Sequence, residues 1–208
     1  MKNRQLIVCG FIAVMFVLAF GACSAKTAPK EQRLTGTDSF KFTVINGGTA
    51  YSVSRGTATE GNVIIPAYYR PNTDSDYLPV TAIGDSAFEG SKNIINITIP
   101  STVTTIGRRA FVGCSNLTSI NIPEGVTSIG SGAFYSCGSL TSITIPESVT
   151  SIGEQAFGEI GKSLTINVMG HASQAAADRV WGENWRKTFN YEGGGVKDFY
   201  AQVNYQGQ

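Results

Sequence analysis

The chain has 208 residues, room for one domain or at most two, and carries 16 Lys and Arg against 15 Asp and Glu. That balance offers no basic footprint for nucleic acid and no long run of like charge. With one histidine, His171, little acid–base chemistry is available to distribute.

At the N-terminus MKNR supplies a positive start, and LIVCGFIAVMFVLAF follows as 15 mostly apolar residues from Leu6 to Phe20. A spanning helix needs about 20 apolar residues, so this run fits a signal core better than a permanent anchor. The next residues, Phe20-Gly21-Ala22-Cys23, resemble the lipobox of bacterial lipoproteins, in which small residues precede a cysteine that becomes acylated; Phe20 stands where that motif usually has Leu. The resemblance implies a signal peptide over 1–22, a lipid anchor to the membrane at Cys23 and a tether over 23–38. Ordinary cleavage near Ala22 or Ala25 is the alternative, with Cys23 an incidental thiol. Two or more acyl chains anchor stably, at about 0.8 kcal/mol per buried methylene, where one chain binds only reversibly. Loss of Lys2 and Arg4 with the leader moves the formal charge from +1 to −1.

Residues 39–79 read as an N-terminal capping coil. FKFTVINGGTAYSV suggests two short strands about a glycine turn, and GNVIIPAYY ends a strand at Pro66. Tyr51, Tyr68, Tyr69 and Tyr77 are candidates to cover the open edge of whatever follows.

From 80 to 170 the sequence repeats every 23 residues: 80–102, 103–125, 126–148 and a shortened 149–170. Fixed-period similarity of this length signals a solenoid whose coils bury their apolar sides only against each other. Val103, Val126 and Val149 fall in one column, and Ile106, Ile129 and Ile152 in another. Gly84, Gly107, Gly130 and Gly153 suit either a close backbone approach or a positive φ. Ala87, Ala110, Ala133 and Ala156 precede Phe88, Phe111, Phe134 and Phe157, a predicted aromatic spine. The second half of each coil, LTSINIP or LTSITIP, alternates like a strand and stops at Pro100, Pro123 or Pro146. Because every coil runs the same way, these strands must pair in parallel, about 4.8 Å apart.

Residues 171–192 are predicted to form a C-terminal helical cap, with Ser173 as N-cap, Gly182 ending the first stretch, and Trp181 and Trp185 on a shared face. The tail, 193–208, opens on the glycines of EGGGV; its VKDFYAQVNY admits a strand, a docking peptide or disorder.

The columns IGxxAFxxC followed by LxxIxIP resemble the BspA-like, treponemal-type leucine-rich repeats of bacterial surface proteins, closely over 80–170 and loosely over 40–79. Ser91 and Ile160 replace the cysteine column, and Met169 the terminal proline. The resemblance implies a right-handed leucine-rich-repeat superhelix, mainly β, of short parallel strands and tight turns with a capping helix. It also implies adhesion to host matrix proteins or to other cells, although such adhesins are often much longer.

Candidate chemistry is sparse. Cys114 and Cys137 lie one repeat apart, but no CxxC or nearby His completes a metal set. They read as buried thiols packed as small hydrophobes, or as an inter-coil disulfide. His171 has Ser173 as its nearest serine, itself a helix cap, so no triad forms. Glu124, Glu147 and Glu154 recur at coil corners as a solvated face. No phosphate-binding glycine loop is present. We therefore expect no enzyme, no cofactor and no metal.

The strand positions Asn96, Thr98, Ser119, Asn121, Ser142, Thr144, Thr165 and Asn167 should form ladders on one outer face. Any half-buried sheet needs polar residues outside, so such a face can be mere solvation, or it can hydrogen-bond a peptide or glycan. Four strands give a face on the order of 200 Å², well below the roughly 800 Å² per partner of a standard interface. The expected function is a lipid-anchored cell-surface module, outer-membrane and exposed, adhering to a host matrix protein, peptide or glycan with help from avidity. The alternative is a periplasm-facing structural or scaffold lipoprotein of the envelope.

Overall fold

The structure is a computed structural model, and it describes residues 40–57, 60–160, 164–171, 173–182, 184–185, 187–192, 195–200 and 202–206. The signal segment, Cys23 and the tether lie outside the described residues.

Each repeat folds into one coil with two strands and a turn between them. The first strands are β5 (Leu78–Ile83), β7 (Thr105–Ile106), β9 (Ser128–Ile129) and β11 (Ser151–Ile152). The second strands are β6 (Asn93–Thr98), β8 (Ser119–Asn121), β10 (Ser142–Ile145) and β12 (Thr165–Met169). The first set pairs in parallel in one sheet and the second set in parallel in another. The two-residue strands of the first sheet end on the isoleucine column, just after the valine column, a part of the coil where alternation is too short to read as a strand.

Between the sheets lies the core, and its centre is the phenylalanine spine. Phe88, Phe111, Phe134 and Phe157 are buried and stacked, with ring centroids 5.4, 5.3 and 5.5 Å apart and planes within 10°. Burying a ring of this size is among the largest single apolar gains a coil of 23 residues can make.

The turns carry a third ladder. Arg109, Phe111 and Gly113 donate their N–H groups to the carbonyls of Ser131, Ala133 and Tyr135 one coil on. Gly132, Phe134 and Ser136 do the same to Glu154, Ala156 and Gly158. Two residues per turn take positive φ to aim these donors, among them Arg109 (φ 55), Gly113 (φ 69), Gly132 (φ 63) and Ser136 (φ 57). The glycine column serves the other purpose, close approach. A Cβ on Gly130 would lie 2.5 Å from Arg108 N, and one on Gly153 would collide with Ser131 N.

At the N-terminal end β1 (Lys41–Ile45) and β2 (Ala50–Ser54) form an antiparallel hairpin about Asn46–Gly48. β2 pairs in parallel with β5 in the first sheet, and β3 (Glu60–Ile64) with β6 in the second, so this region is a genuine coil. Phe40 meets Phe88 edge-on at 6.5 Å, while Tyr69 stacks on Phe42 at 3.7 Å and meets Tyr51 edge-on. Tyr69 belongs to β4 (Tyr68–Tyr69), which pairs antiparallel with β5, and Tyr77 lies under the Arg70 guanidinium.

The C-terminal end departs from a helix over 171–192. Among the described residues of this range only α1 (Gln174–Trp181) is helical, capped by the Ser173 hydroxyl accepting from Ala176 N and closed by Gly182. Residues Lys187–Glu192 form β13, antiparallel to β14 (Gly195–Tyr200). Positive φ at Gly182 stops the helix, and Thr188, Phe189 and Tyr191 favour extended backbone. Trp185 thus lies beyond the helix, yet it still meets Trp181 edge-on at 5.0 Å and extends the spine edge-on to Phe157 at 6.3 Å. Trp181 Nε1 donates to Val149 O and Trp185 Nε1 to the Asp178 carboxylate, so both indoles are satisfied. The end of the tail, β15 (Gln202–Gln206), pairs in parallel with β12 and completes a six-stranded second sheet ordered β15-β12-β10-β8-β6-β3. Of the three conformations the tail sequence admits, its last segment is a strand.

Candidate functional site: the outer face of the second sheet

Parallel pairing in register converts the 23-residue period into rows. One row reads Asn62, Asn96, Ser119, Ser142, Thr165 and Gln202; the next reads Ile64, Thr98, Asn121, Thr144, Asn167 and Asn204. All eight polar strand positions singled out in the sequence therefore share one face. Their opposite neighbours, Ile97, Ile120, Ile143 and Ile166, are buried.

Hydrogen bonds run along the face at both ends. Asn96 Nδ2 donates to Asn62 Oδ1 at 2.8 Å, and Ser119 Oγ donates to Asn96 Oδ1 at 2.6 Å. Asn204 Nδ2 donates to Asn167 Oδ1 at 3.0 Å, and Asn167 Nδ2 approaches Ser142 Oγ at 3.5 Å. In the middle, Thr98, Asn121 and Thr144 are exposed and make no side-chain hydrogen bond among the described residues. Their donors and acceptors are open to solvent or to a ligand.

Four residues of this face escaped the sequence reading. Asn62 and Ile64 come from β3, Gln202 and Asn204 from β15. The alternation of QVNY against TINV, which places Asn204 beside Asn167, was the available signal for β15. A fifth is Ile95, the extra residue of a bulge between β3 and β6. Ile64 and Ile95 are 49% and 47% exposed, so apolar side chains stand among the amides at the β3 end. Six strands at about 4.8 Å and roughly 10 Å of exposed strand give a face on the order of 250 Å².

The remaining candidates have structural duties. Cys114 and Cys137 are free, buried, and donate Sγ–H to Phe88 O and Phe111 O of the preceding coil. Burial pushes the Cys114 thiol up to about 11 and raises Cys137 as well, which keeps both protonated and unreactive. His171 packs edge-on against Trp181 at 4.8 Å, and the Ser173 hydroxyl is engaged as the helix cap. Glu124, Glu147 and Glu154 are exposed. Among the described residues no three metal-ligating side chains converge, and no helix is long and apolar enough to cross a membrane.

Coils of two short parallel strands, stacked on an aromatic spine and closed by distinct ends, define a leucine-rich-repeat solenoid. A family model described as a BspA-type leucine-rich repeat region of six copies matches residues 77–177. The chain is similar to a leucine-rich repeat protein of Bacteroides capillosus, with 31% identity and a TM-score of 0.56, covering 65% of this chain and 98% of that one. It is also similar to the leucine-rich repeat protein of T. pallidum, with 30% identity and a TM-score of 0.58, covering 65% of this chain and 59% of that one. The match thus spans little more than half of the treponemal protein. No curated protein sequence matches the chain. The chain belongs to the BspA-type leucine-rich repeat family.

Proposed function

We propose that this chain is a cell-surface binding module, held to the outer membrane through acylated Cys23, which adheres to a host matrix protein, peptide or glycan through the outer face of its second sheet. The observation that carries this reading is the central row of that face. Thr98, Asn121 and Thr144 stand exposed with unused donors and acceptors, between amide ladders that fix the surface around them. Ile64 and Ile95 add apolar anchors at one end, a mixture that favours a polypeptide partner over a purely polar one. Cys114, Cys137, His171 and Ser173 are each engaged in packing or capping.

A face of about 250 Å² is too small for tight monovalent attachment to a folded protein. The module therefore works at high density, where avidity multiplies weak contacts. The test is retention of matrix proteins and glycans on a dense array of the purified full chain, beside an array of the Asn121→Arg, Thr144→Arg double variant. Both positions are exposed, so the variant keeps its fold while crowding the face. Retention by the natural chain and loss in the variant is expected. An array that retains nothing, or a variant that binds as well as its parent, contradicts the proposal.

A further inference from the structure

A groove lies on the turns, away from the strand face. It measures about 490 Å³ and is lined by Arg108, Arg109, Val112, Ser131, Gly132, Tyr135, Glu154 and Gln155. The repeat explains why it opens here. Corresponding turn positions of three successive coils make a grid: Arg108, Arg109, Val112; then Ser131, Gly132, Tyr135; then Glu154, Gln155, Gly158. Gly132 occupies the centre, the one coil in which this column has no side chain, since Ser86, Arg109 and Gln155 fill the same place elsewhere. A Cβ at Gly132 would touch only Arg109 Cγ at 3.7 Å and Tyr135 Cβ at 3.8 Å.

The walls are chemically unlike. On the coil before, Arg109 is paired with Glu89 at 2.6 Å, whereas the Arg108 guanidinium has no partner among the described residues. The Glu89 carboxyl is held below its ordinary range by hydrogen bonds from Ser86 and Arg109. On the coil after, Glu154 and Gln155 line the groove, about 10 Å from the arginine wall at the spacing of two coils. The Tyr135 ring is seated on Gly158, whose Cβ would fall 2.5 Å from its Cδ2, so only a glycine lets the ring lie there.

We propose that this groove is a binding site for a saccharide unit carrying one carboxylate. The Arg108 fork would take the carboxylate in a bidentate pair, and Glu154, Gln155 and the Ser131 hydroxyl would exchange hydrogen bonds with the sugar's hydroxyls, with Tyr135 as part of the wall. The volume falls within the range of small-ligand sites, about 300–1,000 Å³. This site is independent of the strand face, shares no residue with it, and would give the module a glycan specificity that the ladders lack.

The test is a titration of the ¹⁵N-labelled full chain with glucuronic acid and with glucose, followed by amide shifts. Glucuronic acid should move Ser131, Gly132 and Gln155 at roughly tenfold lower concentration than glucose, the margin expected of one charge-assisted bidentate pair. Arg108→Gln should erase that margin. Gly132→Gln should erase binding altogether, and it is compatible with the fold because Gln155 holds φ 53 at the same column. Equal shifts by the two sugars, no shifts in this groove, or unchanged shifts in Gly132→Gln would each overturn the proposal; unfolding of Gly132→Gln would leave the Arg108→Gln comparison to decide.

Discussion

The two sheets of the solenoid spend their polar side chains differently. On the first sheet Thr104, Thr127 and Thr150 donate their hydroxyls to the carbonyls of Thr81, Thr104 and Thr127, each at 3.2 Å. Those hydroxyls are consumed in holding one coil to the next. On the second sheet side chains bond each other on either side of the β8–β10 step, and Thr98, Asn121 and Thr144 make no side-chain hydrogen bond among the described residues. On the second sheet Thr118 serves cohesion in the same way, donating to Ile95 O at 3.2 Å, while Thr98, Asn121 and Thr144 remain available. A periodic polar column is evidence of a binding face only when its hydrogen-bonding groups are left over.

Four comparisons sharpen or break this contrast between parts that hold the stack and parts that are free. The largest effect is expected in the spine, where Phe111→Ala should cost about 4 kcal/mol and Phe42→Ala, in the half-buried cap, about half of that. Urea denaturation monitored by circular dichroism checks the ordering; equal costs would mean that the ends are packed as the middle is. Next, Gly130→Ala should cost about 3 kcal/mol, because its Cβ would meet the Arg108 backbone at 2.5 Å. Gly132→Ala, two residues on and with open space around it, should cost only about 1 kcal/mol from its positive φ. If the two melt alike, the glycine column is not set by close approach.

The third effect depends on pH. The Cys114 thiol is raised from 9.0 to about 11 in the folded chain by burial, so folding favours its protonated form. Its contribution is full below pH 9, falls as pH rises through the folded value, and amounts to about 1 kcal/mol of lost stability near pH 10. Cys114→Ala should flatten the alkaline slope of the unfolding free energy, and neither thiol should react with iodoacetamide at pH 8 until the chain unfolds. Smallest of all, Asn96→Ala should cost about 1 kcal/mol through its two ladder bonds, while Thr144→Ala stays within about 0.5 kcal/mol. Thermal melts of the pair check this.

Much of the architecture is written in the repeat itself. Identical columns at 23 residues force coil upon coil, so the phenylalanine spine, the proline stops and the parallel pairing follow from Phe88, Phe111, Phe134 and Phe157 and from Pro100, Pro123 and Pro146. The eight polar positions share a face for the same reason, since equal spacing becomes equal register. What stayed hidden lies where the period ends or where backbone alone decides. The third ladder uses N–H groups of the turn, and no side-chain pattern marks it. Helix propensity over 173–187 carried the expectation of a longer cap, but Gly182 and the run KTFNYE divert the chain into a hairpin. β15 depends on pairing between residues 37 apart in the chain, and its partner is visible only once β12 has a free edge. The groove at Gly132 arises from one missing side chain within a grid that a linear sequence does not display.

The central claim, a binding face presented outside the cell, is tested most directly by treating intact producing cells with a protease and following this chain. Cys23→Ala serves as the anchor control and a periplasmic protein as the leakage control. The account predicts rapid loss of the chain from cells whose periplasmic marker stays intact, and release of the Cys23→Ala form from the membrane. Full protection of a membrane-bound chain would contradict it, and would turn the search for partners to the inner side of the envelope.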